Sequence, residues 1–494
     1  MPTDLWQSQS VDSAMQTEQL TRVTAGMPLV FGGDRVAFVP AAVAEAFRAG
    51  DRLLVVQSSG EILHAPAAQW RLAEQAVSGA TSAFQQVSRA GAEQITDFYD
   101  RFAANLRDEA SWERVVEVNA LDIEAARARG RSTTRLVADG KMRGAMIAGL
   151  ETWRDMPNPN GVSGSVQHEG WRIEQVRAGY GVVGFVFEGR PNVLADGAGV
   201  LRSGNTAVMR IGSDALGTAR ALVELALRPA LEDAGLPPAA VTLLDSAEHA
   251  AGWALFSDPR LGLAVARGSG ESVLLLGSLA RQAGIPVSMH GTGGAWIIAD
   301  ESASPGDLQA AVFHSTDRKV CNSLNTVCLP AGRVQDLAKV VVAALEERGQ
   351  ALGHGYRLHV ARGSEDAVPS ELFQRVVRVM RAAGEVEEPL ADLIDGDQLG
   401  REWEWEQTPE VTLKVVASVD EAVELFNEQS PRFIASLISN RRGEHERFFA
   451  AIDAGFVGNG FTRCPATASI RCACALSRIA PTSIARPCRG VTKS

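Results

Sequence analysis

Residues 181–210 read GVVGFVFEGRPNVLADGAGVLRSGNTAVMR. Two short apolar runs, GVVGFVF and NTAVMR, lie at the ends of this stretch, and similar runs recur downstream as AVTLLD, LGLAVARGSG and IPVSMHG. Helical segments such as ALGTARALVELALRPALEDAG separate these runs. Strands that alternate with helices predict a parallel β-sheet that is covered by helices on both faces.

A second region of the same α/β character extends from about Gly291 to Ser430. Its predicted strands are AWIIAD, NTVCLP and VTLKVVAS, and its predicted helices include DLAKVVVAALEERG and VDEAVELFN. No repeat or low-complexity linker separates the two regions. We therefore expect two interleaved α/β lobes with a ligand-binding cleft between them.

The part of the chain before these regions has a different character. Residues 1–68 form an N-terminal extension, and its first two dozen residues, rich in Gln, Ser and Thr, are expected to be disordered. A compact α/β piece is expected from Leu29 to about Ala67. Apolar residues at helical spacing between Gln69 and Trp153 then predict a layer of helices.

Composition excludes several classes of protein. The chain has 494 residues, and its 48 Lys and Arg against 59 Asp and Glu leave a net charge of −11, which argues against a general nucleic-acid binder. The start is polar and no apolar run approaches the roughly 20 residues that span a bilayer, so we expect a cytoplasmic protein without membrane contact. The two cysteines before Arg463 suit a reducing compartment and indicate no metal site.

Cys321 is the first candidate for chemistry. It lies in HSTDRKVCNSLNTVCLP, between a helical segment and a β-rich run, where Arg318, Lys319 and backbone amides could stabilise a thiolate. The alternative is a buried structural thiol. Cys328, inside the predicted strand TVCLP, is expected to belong to the core.

Asn192 is the second candidate. A strand that ends in Gly-Arg-Pro-Asn places Asn192 at the carboxyl edge of the sheet, where open α/β folds bind their ligands. The alternative is an ordinary turn asparagine that follows a proline.

A glycine-rich turn, ARGSGES, follows the predicted strand LGLAV and precedes a predicted helix. Free backbone amides at such a helix start can hold a phosphate group. The turn is not a GxGxxG fingerprint, so a simple turn between a strand and a helix is an equal alternative.

Four separated blocks of this chain carry a family resemblance. They are GVVGFVFEGRPNVLADGAGVLRSGNTAVMR, IPVSMHGTGGAWIIADESA, VCNSLNT and TLKVVASVDEAVELFN. From about Gln69 to Arg463 the chain resembles the gamma-glutamyl phosphate reductases (glutamate-5-semialdehyde dehydrogenases) of the aldehyde dehydrogenase superfamily. The resemblance implies a Rossmann-like cofactor domain, a catalytic domain and an oligomerisation element, with Cys321 as nucleophile and Asn192 in an oxyanion hole.

The resemblance also implies a nicotinamide cofactor, usually NADPH, with NADH as the other option. Its adenosine end would lie near Arg210, Gly212 and Ser213, and its pyrophosphate near Gly268, Ser269 and Gly270. An acidic residue that helps to hold the nicotinamide ribose would come from WEWEQTPE, with Glu406 as the preferred candidate. The expected partners are a small acyl substrate, a kinase or carrier protein that supplies it, and further copies of the same chain.

The direction of the reaction follows from a missing residue. Hydrolytic aldehyde dehydrogenases carry a Glu that activates water against the thioester, and Gly291 stands at the corresponding place in His290-Gly291-Thr292-Gly293-Gly294. We therefore expect reduction of an activated acid, most simply an acyl phosphate such as gamma-glutamyl phosphate, to the aldehyde through a cysteine thioester.

Two departures from the family pattern keep alternatives open. Asn325 replaces a Glu in the Cys-Asn-x-x-Glu-Thr motif, which could alter the polarity of the pocket. The extension before Gln69 faintly resembles the start of the long-chain acyl-CoA reductases, which supports reduction of an acyl thioester on coenzyme A or a carrier protein. The remaining alternative is a non-catalytic binding or assembly protein with the same fold.

The resemblance divides the chain into an extension (1–68), a helical layer with the cofactor domain (69–289), a catalytic domain (290–430), a segment that returns to the cofactor domain (431–463) and a tail (464–494). The tail holds four of the six cysteines and five basic residues but no Asp or Glu. Because the family pattern stops at Arg463, we interpret the tail as the product of a frameshift. A divergent tail is the alternative, and the absence of CxxC pairs argues against a metal site.

Overall fold

The computed structural model describes residues 19–131, 133, 135–268, 270–290, 294–381 and 384–462. The first part is a small α/β piece of two antiparallel hairpins and a short helix: β1 (Pro28–Phe31), β2 (Arg35–Phe38), α1 (Ala41–Ala46), β3 (Arg52–Val55) and β4 (Ile62–Ala65). This agrees with the compact piece predicted from Leu29 to Ala67. The predicted disorder falls mostly on residues 1–18, which lie outside the described residues.

A layer of four helices follows, as predicted: α2 (Ala67–Val87), α3 (Ala92–Arg107), α4 (Glu109–Ala128) and α5 (Gly140–Asp155). In α3, residues at helical spacing face the core, and Ile95, Phe98, Tyr99, Phe102 and Leu106 are buried. The Asp108 side chain accepts a hydrogen bond from the backbone N–H of Ser111 at 2.8 Å and so caps the start of α4.

An antiparallel hairpin, β5 (Gly161–His168) and β6 (Trp171–Arg177), leads from this layer to the first sheet. Almost every residue of the hairpin is exposed on both faces. A two-stranded ribbon of this kind is marginal in isolation because it has no packed face.

The smaller sheet has five parallel strands in the order β11-β10-β7-β8-β9. In chain order its elements are β7 (Val182–Phe187), α6 (Val193–Ala198), β8 (Thr206–Ile211), α7 (Leu216–Leu222), α8 (Arg228–Asp233), β9 (Val241–Leu243), α9 (His249–Phe256), β10 (Leu261–Arg267), α10 (Gly270–Gln282) and β11 (Val287–His290). The stretch 181–210 supplies the two central strands β7 and β8, and every residue of both strands is buried. Continuous burial requires cover on both faces.

The larger sheet has seven strands in the order β17-β14-β18-β13-β12-β19-β20, and its neighbouring strands are parallel. In chain order its elements are β12 (Ala295–Ala299), α11 (Pro305–Ser315), β13 (Leu324–Pro330), α12 (Val334–Ala351), β14 (Arg357–Ala361), the hairpin β15 (Val376–Arg381) and β16 (Gly384–Pro389), β17 (Ala391–Ile394), β18 (Glu410–Val416), α13 (Val419–Gln429), β19 (Ile434–Ile438), α14 (Arg442–Ala451) and β20 (Phe456–Gly458). The predicted α/β class with two parallel sheets is confirmed.

One prediction about the chain path is wrong. Residues 431–463 were expected to return to the cofactor domain, but β19 pairs with β12 and β20 pairs with β19, so both strands extend the larger sheet. The order of strands depends on contacts between segments far apart in sequence, and the apolar pattern of a strand does not encode its neighbour.

Within the described ranges, no helix is long and apolar enough to cross a membrane. The same residues contain no group of three or more His, Cys, Asp or Glu side chains placed to hold a metal ion.

Candidate active site

Cys321 lies in the loop between the end of α11 at Ser315 and the start of β13 at Leu324. The loop is tightly folded because the Ser323 hydroxyl donates to the Arg318 carbonyl at 2.6 Å and accepts from the Val320 N–H at 2.9 Å. The thiol-bearing residue is half-buried, and its carbonyl accepts a hydrogen bond from the Gly294 N–H at 3.2 Å. The cysteine is therefore carried by an ordered, partly exposed turn.

The last described residues run beside this loop. The Thr462 N–H donates to the Ser315 hydroxyl and the Thr462 hydroxyl donates to the Asn322 carbonyl, both at 2.8 Å. The cysteine-rich tail (464–494), and with it the frameshift hypothesis, lies outside the described residues.

Cys328 is fully buried in β13, as the sequence indicated. Burial in apolar surroundings disfavours the thiolate and raises the pKa of Cys328 to about 12. Of the two cysteines in the described part of the chain, Cys321 is the more exposed, and its role as nucleophile stays a prediction.

Asn192 lies in the turn that follows β7, directly before the first residue of α6, and is half-buried. The side chain of Arg135 links this turn to the Cys321 loop. Its guanidinium donates to the Glu188 carboxylate at 3.4 Å and to the Lys319 carbonyl at 3.3 Å. Arg135 thus joins Glu188, four residues before Asn192 in one lobe, to Lys319, two residues before Cys321 in the other.

Lys319 forms an ion pair with Glu402, and only 5% and 14% of their side chains are exposed. Asn325, which is 2% exposed, holds the backbone on either side of Glu402. Its carbonyl accepts from the Trp403 N–H at 3.0 Å and its amide donates to the Arg401 carbonyl at 2.9 Å. The Asn that replaces the family Glu is therefore directed to the backbone of a neighbouring loop.

The loop that carries Glu402 also presents Glu404. Partial desolvation by the surrounding protein, followed by repulsion from Glu402 and Glu188, raises the pKa of the Glu404 carboxyl, although Lys319 and Arg135 oppose this. Residue 404 as a whole is exposed, so the shift reflects protein on one side of the carboxylate. Glu406 is exposed too, and its cofactor role stays a prediction.

Arg210, at the end of β8, is the most distinctive of the predicted cofactor residues. It is 5% exposed, and its Nη2 donates to the Ala247 carbonyl at 2.8 Å, whereas its Nε has no partner among the described residues. Burial lowers the pKa of Arg210, and the Arg210 and Arg131 charges add to burial in lowering the pKa of His249. An incompletely paired, buried guanidinium fits an anionic group.

The glycine positions around Arg210 fit the same interpretation. A Cβ at Gly212 would lie 2.5 Å from the Gly189 backbone nitrogen, so only glycine permits the close approach of the turns after β7 and β8. Ser213 begins a short 3-10 helix, and Gly270 begins α10. Gly268 follows β10, and a Cβ there would meet nothing closer than 3.8 Å, which leaves space above this turn. Ser269 lies outside the described residues.

The position of the water-activating Glu cannot be followed in the structure. His290 ends β11, and Gly291, Thr292 and Gly293 lie outside the described residues. The absence of a Glu at position 291 is a property of the sequence alone.

Sequence reasoning missed three residues of this site: Arg135, Glu402 and Glu404. Arg135 lies 184 residues before Lys319, and no motif marks it. The signal for the two acidic residues was present in WEWEQTPE, but the alternation of Glu and Trp did not show which carboxylate turns toward the Cys321 loop.

Known proteins resemble this chain in sequence and in fold. The sequence model described as aldehyde dehydrogenase family matches residues 55–361. A gamma-glutamyl phosphate reductase of Kineococcus radiotolerans is 32% identical over 368 residues, which is 72% of this chain and 78% of that protein.

Two solved structures share the fold. The gamma-glutamyl phosphate reductase of Thermotoga maritima superposes with a TM-score of 0.65 at 24% identity, over 79% of this chain and 88% of that one. An engineered glycolyl-CoA reductase with bound NADP+ superposes with a TM-score of 0.53 at 14% identity, over 79% and 88% of the two chains.

Proposed function

The chain belongs to the aldehyde dehydrogenase family, and from this premise we propose that it reduces an acyl phosphate to the corresponding aldehyde with a nicotinamide cofactor. The observation that carries the proposal is the link through Arg135, which joins Glu188, four residues before Asn192, to Lys319, two residues before the half-buried Cys321. The acyl group is that of gamma-glutamyl phosphate, because the curated relative and the Thermotoga structure both carry the name gamma-glutamyl phosphate reductase.

Cys321 acts as the nucleophile. Its thiolate attacks the acyl carbon, a carbon–sulfur bond forms, and the phosphate group leaves with the electron pair of the broken carbon–oxygen bond. The product of this step is a thioester on Cys321. A buried thiol such as Cys328 cannot do this, because its thiolate is strongly disfavoured.

The Asn192 amide and the Cys321 backbone N–H serve as donors to the oxygen of the tetrahedral intermediates. Asn192 makes no side-chain capping bond to α6, so its amide is not committed to the helix start. One such donor typically contributes about 10²–10³ in rate.

The cofactor, when bound, supplies the hydride that converts the thioester to a thiohemiacetal, which then releases the aldehyde and the thiolate. Arg210, Gly212, Ser213 and the turn at Gly268 and Gly270 would hold its adenosine and pyrophosphate parts. The glycines let the backbone approach closely, and the helix start at Gly270 offers free N–H groups.

We propose NADPH as the preferred cofactor. The buried guanidinium of Arg210 has a nitrogen without a partner among the described residues, which makes this end of the sheet attractive to a phosphate. NADPH carries a phosphate on its adenosine ribose that NADH lacks, so this arrangement favours NADPH.

We also propose that the protein assembles with further copies of itself and receives its substrate from a kinase. The β5–β6 hairpin exposes Val162, Val166, Trp171, Ile173 and Val176, each by at least 50%. A surface depression of about 470 Å³ is lined by five residues of this hairpin and by no residue of the Cys321 site. An exposed apolar ribbon of this kind marks a contact surface, and an acyl phosphate is unstable enough in water to favour direct supply.

The function is tested with the purified full-length chain in the reverse direction. Glutamate-5-semialdehyde and phosphate are added with NADP+ or NAD+, and the nicotinamide absorbance is followed, with Cys321→Ser as the inactive control. Reduction of acyl-CoA is assayed in parallel. Activity with the semialdehyde only when phosphate is present supports the proposal. Activity with acyl-CoA alone would show that the substrate is an acyl thioester. The absence of activity with all of these substrates would refute the proposal.

A further inference from the structure

The Lys319–Glu402 ion pair lies beside the nucleophile and is not explained by the reaction steps above. Lys319 is two residues before Cys321, and its ammonium is almost completely buried with the Glu402 carboxylate as its partner. Removing a buried charge from water is costly, and breaking such a pair leaves an uncompensated charge behind. The presence of a buried ion pair two residues before the nucleophile therefore requires an explanation.

We propose that Lys319 and Glu402 are positioning residues for Cys321: the pair, held by Asn325, fixes the 319–321 segment and neutralises the ammonium next to the nucleophile. The proposal rests on the proposed function only in taking Cys321 as the nucleophile.

The loop around Glu402 is rigid enough for this role. Asn325 bonds the backbone of both neighbours of Glu402, as described above. The Trp403 indole N–H donates to the Thr412 hydroxyl at 2.8 Å, and the Trp403 ring stacks on His359 with centroids 3.5 Å apart. Glu402 therefore has little freedom to leave Lys319.

The amide of Asn325 suits this arrangement better than a carboxylate would. A glutamate at position 325 would have no N–H to donate to the Arg401 carbonyl. Asn325, which replaces the family Glu, can both donate a hydrogen bond to the Arg401 carbonyl and accept one from the Trp403 N–H, as this loop requires.

Other charges face Lys319 from the elements packed around it. Glu404 comes from the same loop as Glu402, Arg135 from the loop between α4 and α5, and Glu188 from the turn after β7. Only Glu402 contacts the Lys319 ammonium directly among these groups. Removal of the Glu402 charge therefore leaves the ammonium of Lys319, two residues before Cys321, without its contacting carboxylate.

The test measures alkylation of Cys321 by iodoacetamide in the full-length protein near neutral pH, with peptide mass spectrometry to separate it from the other cysteines. Glu402→Gln keeps the shape and an oxygen acceptor but removes the negative charge. The uncompensated ammonium should then favour the thiolate, and Cys321 should react roughly three- to tenfold faster, with its pH profile moved to lower pH. Glu446→Gln makes the same change in an exposed pair with Arg442 and should react at the wild-type rate.

Lys319→Met provides the opposite perturbation. It leaves the Glu402 carboxylate without its cation, so alkylation should be slowed by a comparable factor. A merely structural role would loosen the loop in both variants and shift both rates in the same direction. Equal shifts of Glu402→Gln and Lys319→Met, or a wild-type rate in Glu402→Gln, would overturn the proposal.

Asn325→Ala tests the support without changing any charge. Its alkylation rate should move in the direction of Glu402→Gln, and the double variant should react no faster than Glu402→Gln alone, because both changes act through the same pair. Independent, multiplying effects would show that Asn325 does not act through Glu402. The test needs no substrate, so a negative reductase assay would refute the proposed function and leave this inference open to its own measurement.

Discussion

Replacement of Asn192 by alanine separates catalysis from stability in this protein. Asn192 is half-buried and makes no side-chain capping bond at the start of α6. Alanine adopts the helical backbone conformation observed at this position, with φ −69° and ψ −13°, without strain. Under the proposed role of Asn192, the substitution removes a donor to the reacting oxygen and leaves the start of α6 unstrained.

The expected size of the effect follows from these two observations. Loss of one oxyanion donor lowers kcat by about 10²–10³, which corresponds to about 2.7–4 kcal/mol of transition-state stabilisation. A substitution that leaves no buried group unpaired changes the free energy of unfolding by about 0.5 kcal/mol or less. For a chain of this size the unfolding temperature should shift by no more than about 2 °C.

The assay compares kcat for the semialdehyde reaction and the thermal unfolding midpoint in the wild type, Asn192→Ala and Asn192→Asp. Asn192→Asp keeps the shape but places a negative charge against the oxyanion, so it should be at least as slow as Asn192→Ala. Asn158→Ala, an exposed asparagine in the loop before β5, is the matched control. A kcat within threefold of the wild type, or an activity loss that follows the unfolding midpoint, would refute the reasoning.

Three further predictions concern the cofactor, acid stability and assembly. Arg210→Met keeps the aliphatic part of the side chain packed but removes the guanidinium. The KM for NADPH should therefore rise roughly tenfold or more, while the KM for NADH stays nearly constant. An equal rise of both KM values would exclude a contact between Arg210 and the phosphate of NADPH. Hydrogen bonds from Arg381 are the main reason that the pKa of Glu388 lies below its usual value. The ionised Glu388 therefore stabilises the fold above the ordinary carboxyl pKa. This contribution is lost as the pH falls through the lowered pKa. The difference in the free energy of unfolding between the wild type and Arg381→Met, measured with urea, should therefore decrease from about pH 7 to about pH 3. A difference that stays constant over this range would contradict the prediction. Trp171→Glu on the β5–β6 hairpin should lower the oligomer mass measured by light scattering without lowering the unfolding midpoint of the monomer, and an unchanged mass would argue against this surface.

Parts of the site followed from short motifs. Cys321 and Asn192 became candidates from their local patterns, and their roles as nucleophile and oxyanion donor follow from the family resemblance and stay predictions. Cys328 could be assigned to the core because it lies inside the apolar run of β13. Such assignments succeed where the decisive neighbours are a few residues away in the chain.

Other parts could not be predicted. Lys319 next to Cys321 suggested a cation that stabilises the thiolate, but its charge is taken up by Glu402, which is 83 residues away. The acidic candidate Glu406 is exposed, whereas Glu402 faces Lys319. The Trp and Glu residues alternate along this loop. The hydrogen bond between Asn325 and the Trp403 backbone and the stacking of Trp403 on His359 decide which Glu side chain faces Lys319.

Most of the strands and helices, the two parallel sheets and the burial of Cys328 could be predicted from the amino-acid sequence. These properties depend on hydrophobic periodicity and on local motifs. Three other features became visible in the folded chain: β19 and β20 extend the larger sheet, Arg135 contacts both lobes, and Glu402 neutralises the Lys319 charge. These properties depend on contacts between distant segments, and a strand or a charged side chain carries no local record of the partner it will meet.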